Sequence, residues 1–204
     1  MRLVRLLVVV CVALWVALPV TVRTQTQSDR TIESIRDELM QLPYYGVFDF
    51  LAFSYEKGTV TLQGYAYSLN LKASAERAVK RAVGVDAVVN EVENLPASTM
   101  DDEIRWQAYY NIYRDSFLSR YAPGGAMLWG HAHPYRGAFG RFGGLGLQGF
   151  EMAGNYPSRI IVRGSRITLM GIVDNEADKT VAGMRAREVN GTVGVENELM
   201  VETP

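Results

Sequence analysis

Residues 58–92 and 165–199 align without a gap at a constant offset of 107, so one supersecondary unit occurs twice in this chain. Gly58-Thr-Val-Thr-Leu-Gln-Gly64 falls on Ser165-Arg-Ile-Thr-Leu-Met-Gly171, Lys72 on Lys179, Ala75 on Ala182, Gly84 on Gly191, Val88 on Val195, and Asn90-Glu91 on Asn197-Glu198. Nine of the 35 pairs are identical, and they include the glycines and apolar positions that set turns and cores. The period is too long for a solenoid, so the reading is two domains. A unit of this size buries only about 60% of its unfolded surface and is marginal alone. The two are therefore expected to pack on each other.

Within each copy the pattern reads α-β-β-α-β. Ile32, Ile35, Leu39 and Leu42 make a helical stripe after Asp29, which is placed as its cap, and Pro43 ends it. A strand is expected over residues 47–55, a tight turn at Glu56-Lys57-Gly58, and a second strand from Thr59 to Tyr65 with Val60 and Leu62 on one face. Ser68 is read as the next cap, Leu71, Ala75, Ala78, Val79 and Ala82 as a close-packing helix face, Gly84 as its stop, and residues 87–95 as the third strand. In the second copy, Asp101 and Asp102 open a longer helix running to about Tyr121, where they suit the positive end of its dipole. Strands follow at 159–163 and 166–173, then a helix over 175–190 and a strand over 193–201. The expected fold class is α+β: two tandem α-β-β-α-β domains, each a three-stranded sheet with two helices on one face.

The domain boundaries follow. Residues 1–24 form a signal peptide or N-terminal anchor, residues 25–97 the first domain, and residues 98–202 the second, with a Gly/aromatic-rich insertion at 122–157. Arg2 and Arg5 precede an apolar run from Leu6 to Leu18 that matches an export signal, while extension to Val22 is nearly long enough for an anchor. Both alternatives place the folded part outside the cytoplasm. The single cysteine, Cys11, lies in that run. A chain cleaved near Thr24 has no thiol for a disulfide, a zinc cluster or a nucleophile. It keeps 18 basic and 22 acidic residues, a net charge of −4 that argues against nucleic acid as a partner.

Chemistry-bearing motifs are sparse. Gly144-Leu-Gly-Leu-Gln-Gly149 fits GxGxxG in letters only, because no strand precedes it and no helix opens after it. His131 and His133 could start a metal site but have no cysteine and no near carboxylate to complete it. No serine sits in a nucleophile elbow. The expectation is no enzyme, no cofactor, no catalytic residue and no metal site.

Two features ask for a partner. The helix after Ser98 has a second stripe, Trp106, Tyr110, Tyr113 and Phe117, which either packs on the first domain or the insertion, or lines a groove. The insertion holds ten glycines and interleaves Trp129, Arg136, Phe139, Arg141 and Phe142, a set suited to entering a lipid headgroup region with guanidinium groups on phosphates. These five are the candidate membrane or ligand contacts. The insertion is expected to lack long regular elements and to be replaceable by a short linker with cooperative unfolding nearly intact.

The residues Gly58 to Gly64, Lys72, Ala75, Gly84-Val85, Val88 and Asn90, with Ile167 to Gly171, Lys179, Ala182, Gly191, Val195 and Asn197, resemble the BON domain, the bacterial OsmY and nodulation module. Thr192 stands where that pattern has a valine. The resemblance implies an exported protein of the bacterial periplasm or cell envelope, and a non-enzymatic module that binds phospholipid or the membrane surface. The alternative partner is an envelope protein for which the chain is an interaction or scaffold module, with the tyrosines Tyr55, Tyr65 and Tyr67 as candidate anchors beside the Trp106 stripe. Oligomeric state is left open.

Overall fold

A computed structural model describes residues 27–122, 141–142, 150–153 and 157–202. The elements are α1 (Gln27–Met40), β1 (Phe50–Glu56), β2 (Thr59–Ala66), α2 (Leu71–Val79), β3 (Ala87–Asn90), β4 (Glu93–Asn94), α3 (Thr99–Tyr113), a 3-10 turn (Ser119–Tyr121), β5 (Arg141–Phe142), β6 (Phe150–Ala153), β7 (Ser158–Arg163), β8 (Arg166–Val173), α4 (Glu176–Arg187) and β9 (Gly194–Val201). The α-β-β-α-β order holds twice. The offset of 107 holds too, since β2 and β8 and both hairpin turns coincide under it.

Each hairpin closes through two residues with positive φ, Lys57 (47°) and Gly58 (85°) in the first and Gly164 (57°) and Ser165 (60°) in the second. That is the turn whose twist matches paired strands. The third strand returns parallel to the second: β3 and β4 lie on β2, and β9 lies on β8. Alternation along β2 then puts Val60, Leu62 and Ala66 against α1 and α2, with Ile35, Leu39, Ala75 and Val79 opposite. The second domain repeats this with Ile167, Leu169 and Val173 against Ile104, Ala108, Ala182 and Ala186.

The other faces of the two sheets pack on each other. Phe50 and Ala52 of β1 meet Ile161 of β7 and Met170 and Ile172 of β8, with Leu95, Tyr65 and Met200 at the margin. The result is four layers, helices outside and two sheets back to back. Among the described residues, the three cores draw on positions 32–201.

Asn90 and Asn197, equivalent under the offset, are partly buried and each bonds across to the crossover helix. Asn90 Nδ2 donates to the Lys72 carbonyl on α2 (3.0 Å) while its Oδ1 accepts the Val92 N–H (3.2 Å). Asn197 does the same with Lys179 on α4 (2.7 Å) and Leu199 (3.3 Å). Because the Glu91 and Leu95 N–H groups bond β2, the Val92 N–H points to the free edge of the sheet. One amide thus ties helix to strand and caps an outward donor. Asn197→Ala is expected to lower stability by about 1–2 kcal/mol, the net value of two such bonds in a partly buried site. Urea unfolding with an unchanged slope checks it.

Several boundaries differ from the sequence reading, each for a local reason. Helix α1 begins at Gln27, so Asp29 lies in its first turn and is not its cap. Helix α2 begins at Leu71 after Asn70, which makes no side-chain cap bond, and Ser68 contributes its carbonyl to the Leu71 N–H instead of a capping hydroxyl. Helix α3 is capped by Ser98 and ends at Tyr113, because the Asp115 carboxylate takes the Phe117 N–H (2.9 Å) and an ion pair from Arg185 (2.9 Å). Asp101 is buried; its two oxygens accept the N–H groups of Gly164 (3.0 Å) and Ser165 (2.7 Å), fastening the second hairpin turn to α3.

The insertion also contributes regular structure. Strand β6 pairs antiparallel with β1, Ala153 opposite Leu51 and Glu151 opposite Phe53, and β5 pairs with β6. The first sheet therefore runs β3-β2-β1-β6-β5, its three-strand core extended by two short strands that belong in sequence to the second domain. Replacement of the whole segment 122–157 by a linker would remove a neighbour of β1.

Candidate binding surface at the domain junction

The expected strand over 47–55 starts late, and its first residues do something else. Tyr44 has φ 65°, a left-handed backbone in an exposed, non-glycine residue, and the chain then turns through Gly46 to Asp49. Val47 and Phe48 are delivered into the helix-side core of the second domain, and the Val47 carbonyl accepts the Ile160 N–H (2.9 Å). A turn of the first domain is thus a plug in the second.

Asp49 holds that turn. It is 2% exposed, and its Oδ2 accepts the Gly46 N–H (2.9 Å) while Oδ1 accepts those of Tyr67 (2.7 Å) and Ser68 (3.0 Å). Arg159, fully buried at the start of β7, donates to the Gly46 carbonyl (2.6 Å) and lies 4.2 Å from the centre of the Tyr45 ring. Arg105 on α3, 1% exposed, pairs with Asp102, donates to the Val162 carbonyl (2.7 Å) and lies over Tyr67 at 4.6 Å. Two buried guanidinium groups therefore back two tyrosine rings across the junction.

In front of them is an open groove of about 580 Å3. Of the nine described residues that line it, five are aromatic, namely Tyr44, Tyr45, Phe48, Tyr67 and Trp106, and one is charged, Asp49. Phe48 stands nearly perpendicular to Trp106 (5.2 Å between ring centres, 83°) and to Tyr67 (5.9 Å, 80°), so the rings form corners instead of a stack. The array continues along α3 through Tyr109 to Tyr110 and Tyr113. Burial raises the pKa of the Tyr45 and Tyr67 phenols, and the Asp102 carboxylate raises that of Tyr67 further, so both are neutral at physiological pH.

Trp106 is half exposed (51%), Tyr110 is 57% exposed and Tyr44 85%, whereas Tyr113 is buried with its hydroxyl 2.9 Å from the Ser158 Oγ. The Trp106 stripe thus both packs on the first domain, through Phe48, and lines a groove. The three tyrosines offered as one anchor group separate: Tyr55 packs on the helix-side core and donates to the Gly84 carbonyl (3.1 Å), Tyr65 lies between the sheets, and only Tyr67 reaches the groove. Sequence reasoning missed Tyr44, Tyr45, Phe48 and Asp49. The available signal was an acidic residue interrupting an apolar run directly after Pro43 and Gly46.

Of the insertion candidates, Trp129, Arg136 and Phe139 lie outside the described residues, as do His131, His133 and the glycines of 144–149. Arg141 and Phe142 form β5, paired with β6. Among the described residues no group of three or more His, Cys, Asp or Glu could hold a metal ion, and no helix is long and apolar enough to cross a membrane. The void inside the second core, about 10 Å3, has no room for a ligand larger than water.

No curated protein matches the sequence. Two solved structures of CdsD, a structural protein of the type III secretion system of Chlamydia trachomatis, align at 13% identity over 84% of this chain. One, its C-terminal domain, is covered over 97% of its length at a TM-score of 0.26; the other is covered over 91% at 0.25. The BON domain model matches residues 49–95 and 152–203, each span holding one hairpin, its crossover helix and the returning strand. The chain carries two BON domains and belongs to the BON family, whose module is a non-catalytic unit associated with binding at membranes and the cell envelope.

Proposed function

We propose that this protein is a non-enzymatic binding module of the bacterial cell envelope that associates with phospholipid at the membrane surface through the groove at its domain junction. The observation that carries this reading is the set of exposed aromatic residues Tyr44, Tyr67 and Trp106 lining one open groove, with Tyr110 exposed one turn further along α3. Amphipathic rings of this kind suit the boundary between headgroups and acyl chains. The N-terminal run from Leu6 to Leu18 supports it by directing the folded part to the periplasm or holding it at the membrane. Trp129, Arg136, Phe139, Arg141 and Phe142 are proposed as accessory contacts, their segment returning through β6 beside β1. The net negative charge makes the contact local and not a general attraction to anionic lipid.

Co-sedimentation of the chain from residue 25 with phosphatidylglycerol, phosphatidylethanolamine and phosphatidylcholine vesicles tests this. The expected result is pelleting with at least one of them, reduced several-fold by Trp106→Ala at a temperature where the variant is still folded by circular dichroism, since the half-buried ring also packs on Phe48 and its loss lowers the melting temperature. Absence of pelleting with all three lipids overturns the reading. The second reading, an envelope protein as partner, draws on the same rings: Phe48 is fixed by edge contacts with Tyr67, Trp106 and Tyr109, a rigid aromatic cluster of the kind that anchors protein interfaces. Retention of a single envelope protein by the native chain but not by Trp106→Ala, with no vesicle binding, would favour it.

A further inference from the structure

Resting on the groove as the binding surface, we infer that the chemical group it takes is a methylated ammonium, held against ring faces. Three observations point there. First, the lining is aromatic where an acyl chain would call for branched aliphatic side chains: five rings against one leucine, Leu42. Rings attract a cation through their quadrupole as well as excluding water. The rings behind the groove already do this, with Arg105 on Tyr67 and Arg159 on Tyr45, which leaves the half-exposed Trp106 and the exposed Tyr44 at the opening, with the buried Phe48 edge-on to Trp106.

Second, the groove's one charged lining residue is a carboxylate, and its hydrogen-bonding capacity is largely used. Asp49 accepts three backbone N–H groups, and the neighbouring Gly46 carbonyl accepts Arg159. A primary ammonium entering here would bury N–H donors with few acceptors to meet them. N-methyl groups bring the same charge and ask for no acceptor. Third, Tyr44 at the rim is held at φ 65°, a conformation that costs a non-glycine residue free energy and is concentrated at ligand sites. It presents an exposed ring at the groove mouth, placed to close over a bound group.

Such an ammonium occurs both as a lipid headgroup and as a free solute, and the experiment separates the two. Calorimetric titration of the chain from residue 25 with choline, with its neutral isostere 3,3-dimethylbutanol and with ethanolamine is expected to show choline binding at least ~10-fold tighter than either. Trp106→Leu should weaken choline at least ~5-fold, and Trp106→Phe should restore most of it. Tyr44→Ala should weaken it without loss of fold. Retention on phosphatidylcholine vesicles that choline competes away assigns the headgroup; choline binding without vesicle retention assigns the free solute. Equal binding of choline and the isostere, or no choline binding, overturns the inference. Pelleting with phosphatidylglycerol vesicles in that second case would leave the membrane reading standing and remove only the ammonium.

Discussion

Gly64→Ala and Gly171→Ala should each destabilise the protein by about 3 kcal/mol, far more than an exposed strand glycine would. The two glycines are equivalent under the offset of 107, sit at φ 136° and 121°, and occupy the point where the second strand of each hairpin passes the start of the first. A Cβ on Gly64 would lie 2.0 Å from the Phe50 carbonyl oxygen, and one on Gly171 would lie 2.0 Å from that of Pro157. Both obstacles are backbone, so no side-chain rotation relieves them. Because Phe50 packs between the two sheets, the Gly64 variant should also weaken the junction. Thermal melts of the two variants check this; a shift of only one or two degrees in both would show that the strands slide apart without strain.

The second large effect is expected from Asp49→Ala, a loss of about 3–4 kcal/mol. Removal of the carboxylate leaves the N–H groups of Gly46, Tyr67 and Ser68 without their acceptor in a partly buried turn, each at a cost of about 1 kcal/mol or more. The turn that presents the Gly46 carbonyl to the buried Arg159 loses its brace at the same time. Asp49→Asn should fall between the two. Its oxygen can still accept from Tyr67 and Ser68, but its amide then opposes the Gly46 N–H, donor against donor. The same variants shift the plug of Val47 and Phe48, so unfolding of the two domains should separate into two transitions if the turn is what couples them. Calorimetry of native and Asp49→Ala protein measures both quantities.

The repeat made the fold legible because hairpin turns, apolar alternation and helix faces are local, and two copies of a local pattern constrain each other. The equivalence of Thr59–Ala66 and Arg166–Val173 in the structure is the same offset seen in the letters. What sequence could not show is where local pieces meet across domains. Asp101 reads as a helix-dipole residue but fastens a hairpin turn 63 positions away. Val47 and Phe48 read as the start of a strand because both are apolar and strand-forming, yet their partner is the core of the other domain. Asn90 and Asn197 recur in the repeat, but their bonds to Lys72 and Lys179 become predictable only once the crossover helix is placed over the sheet. Of the candidate surface, the Trp106 stripe was visible by helical spacing; Tyr44, Tyr45 and Asp49 were not, since a turn has no period.

The two domains converge on one surface, and the central claim is that this surface binds. Amide chemical shifts of the isotope-labelled chain from residue 25, recorded while phospholipid bicelles are added, test it residue by residue. The account predicts changes concentrated at 44–49, 67–69 and along Trp106 to Tyr110, with the outer face of α2 unmoved. Changes confined to other surfaces, or none at saturating lipid, would contradict it.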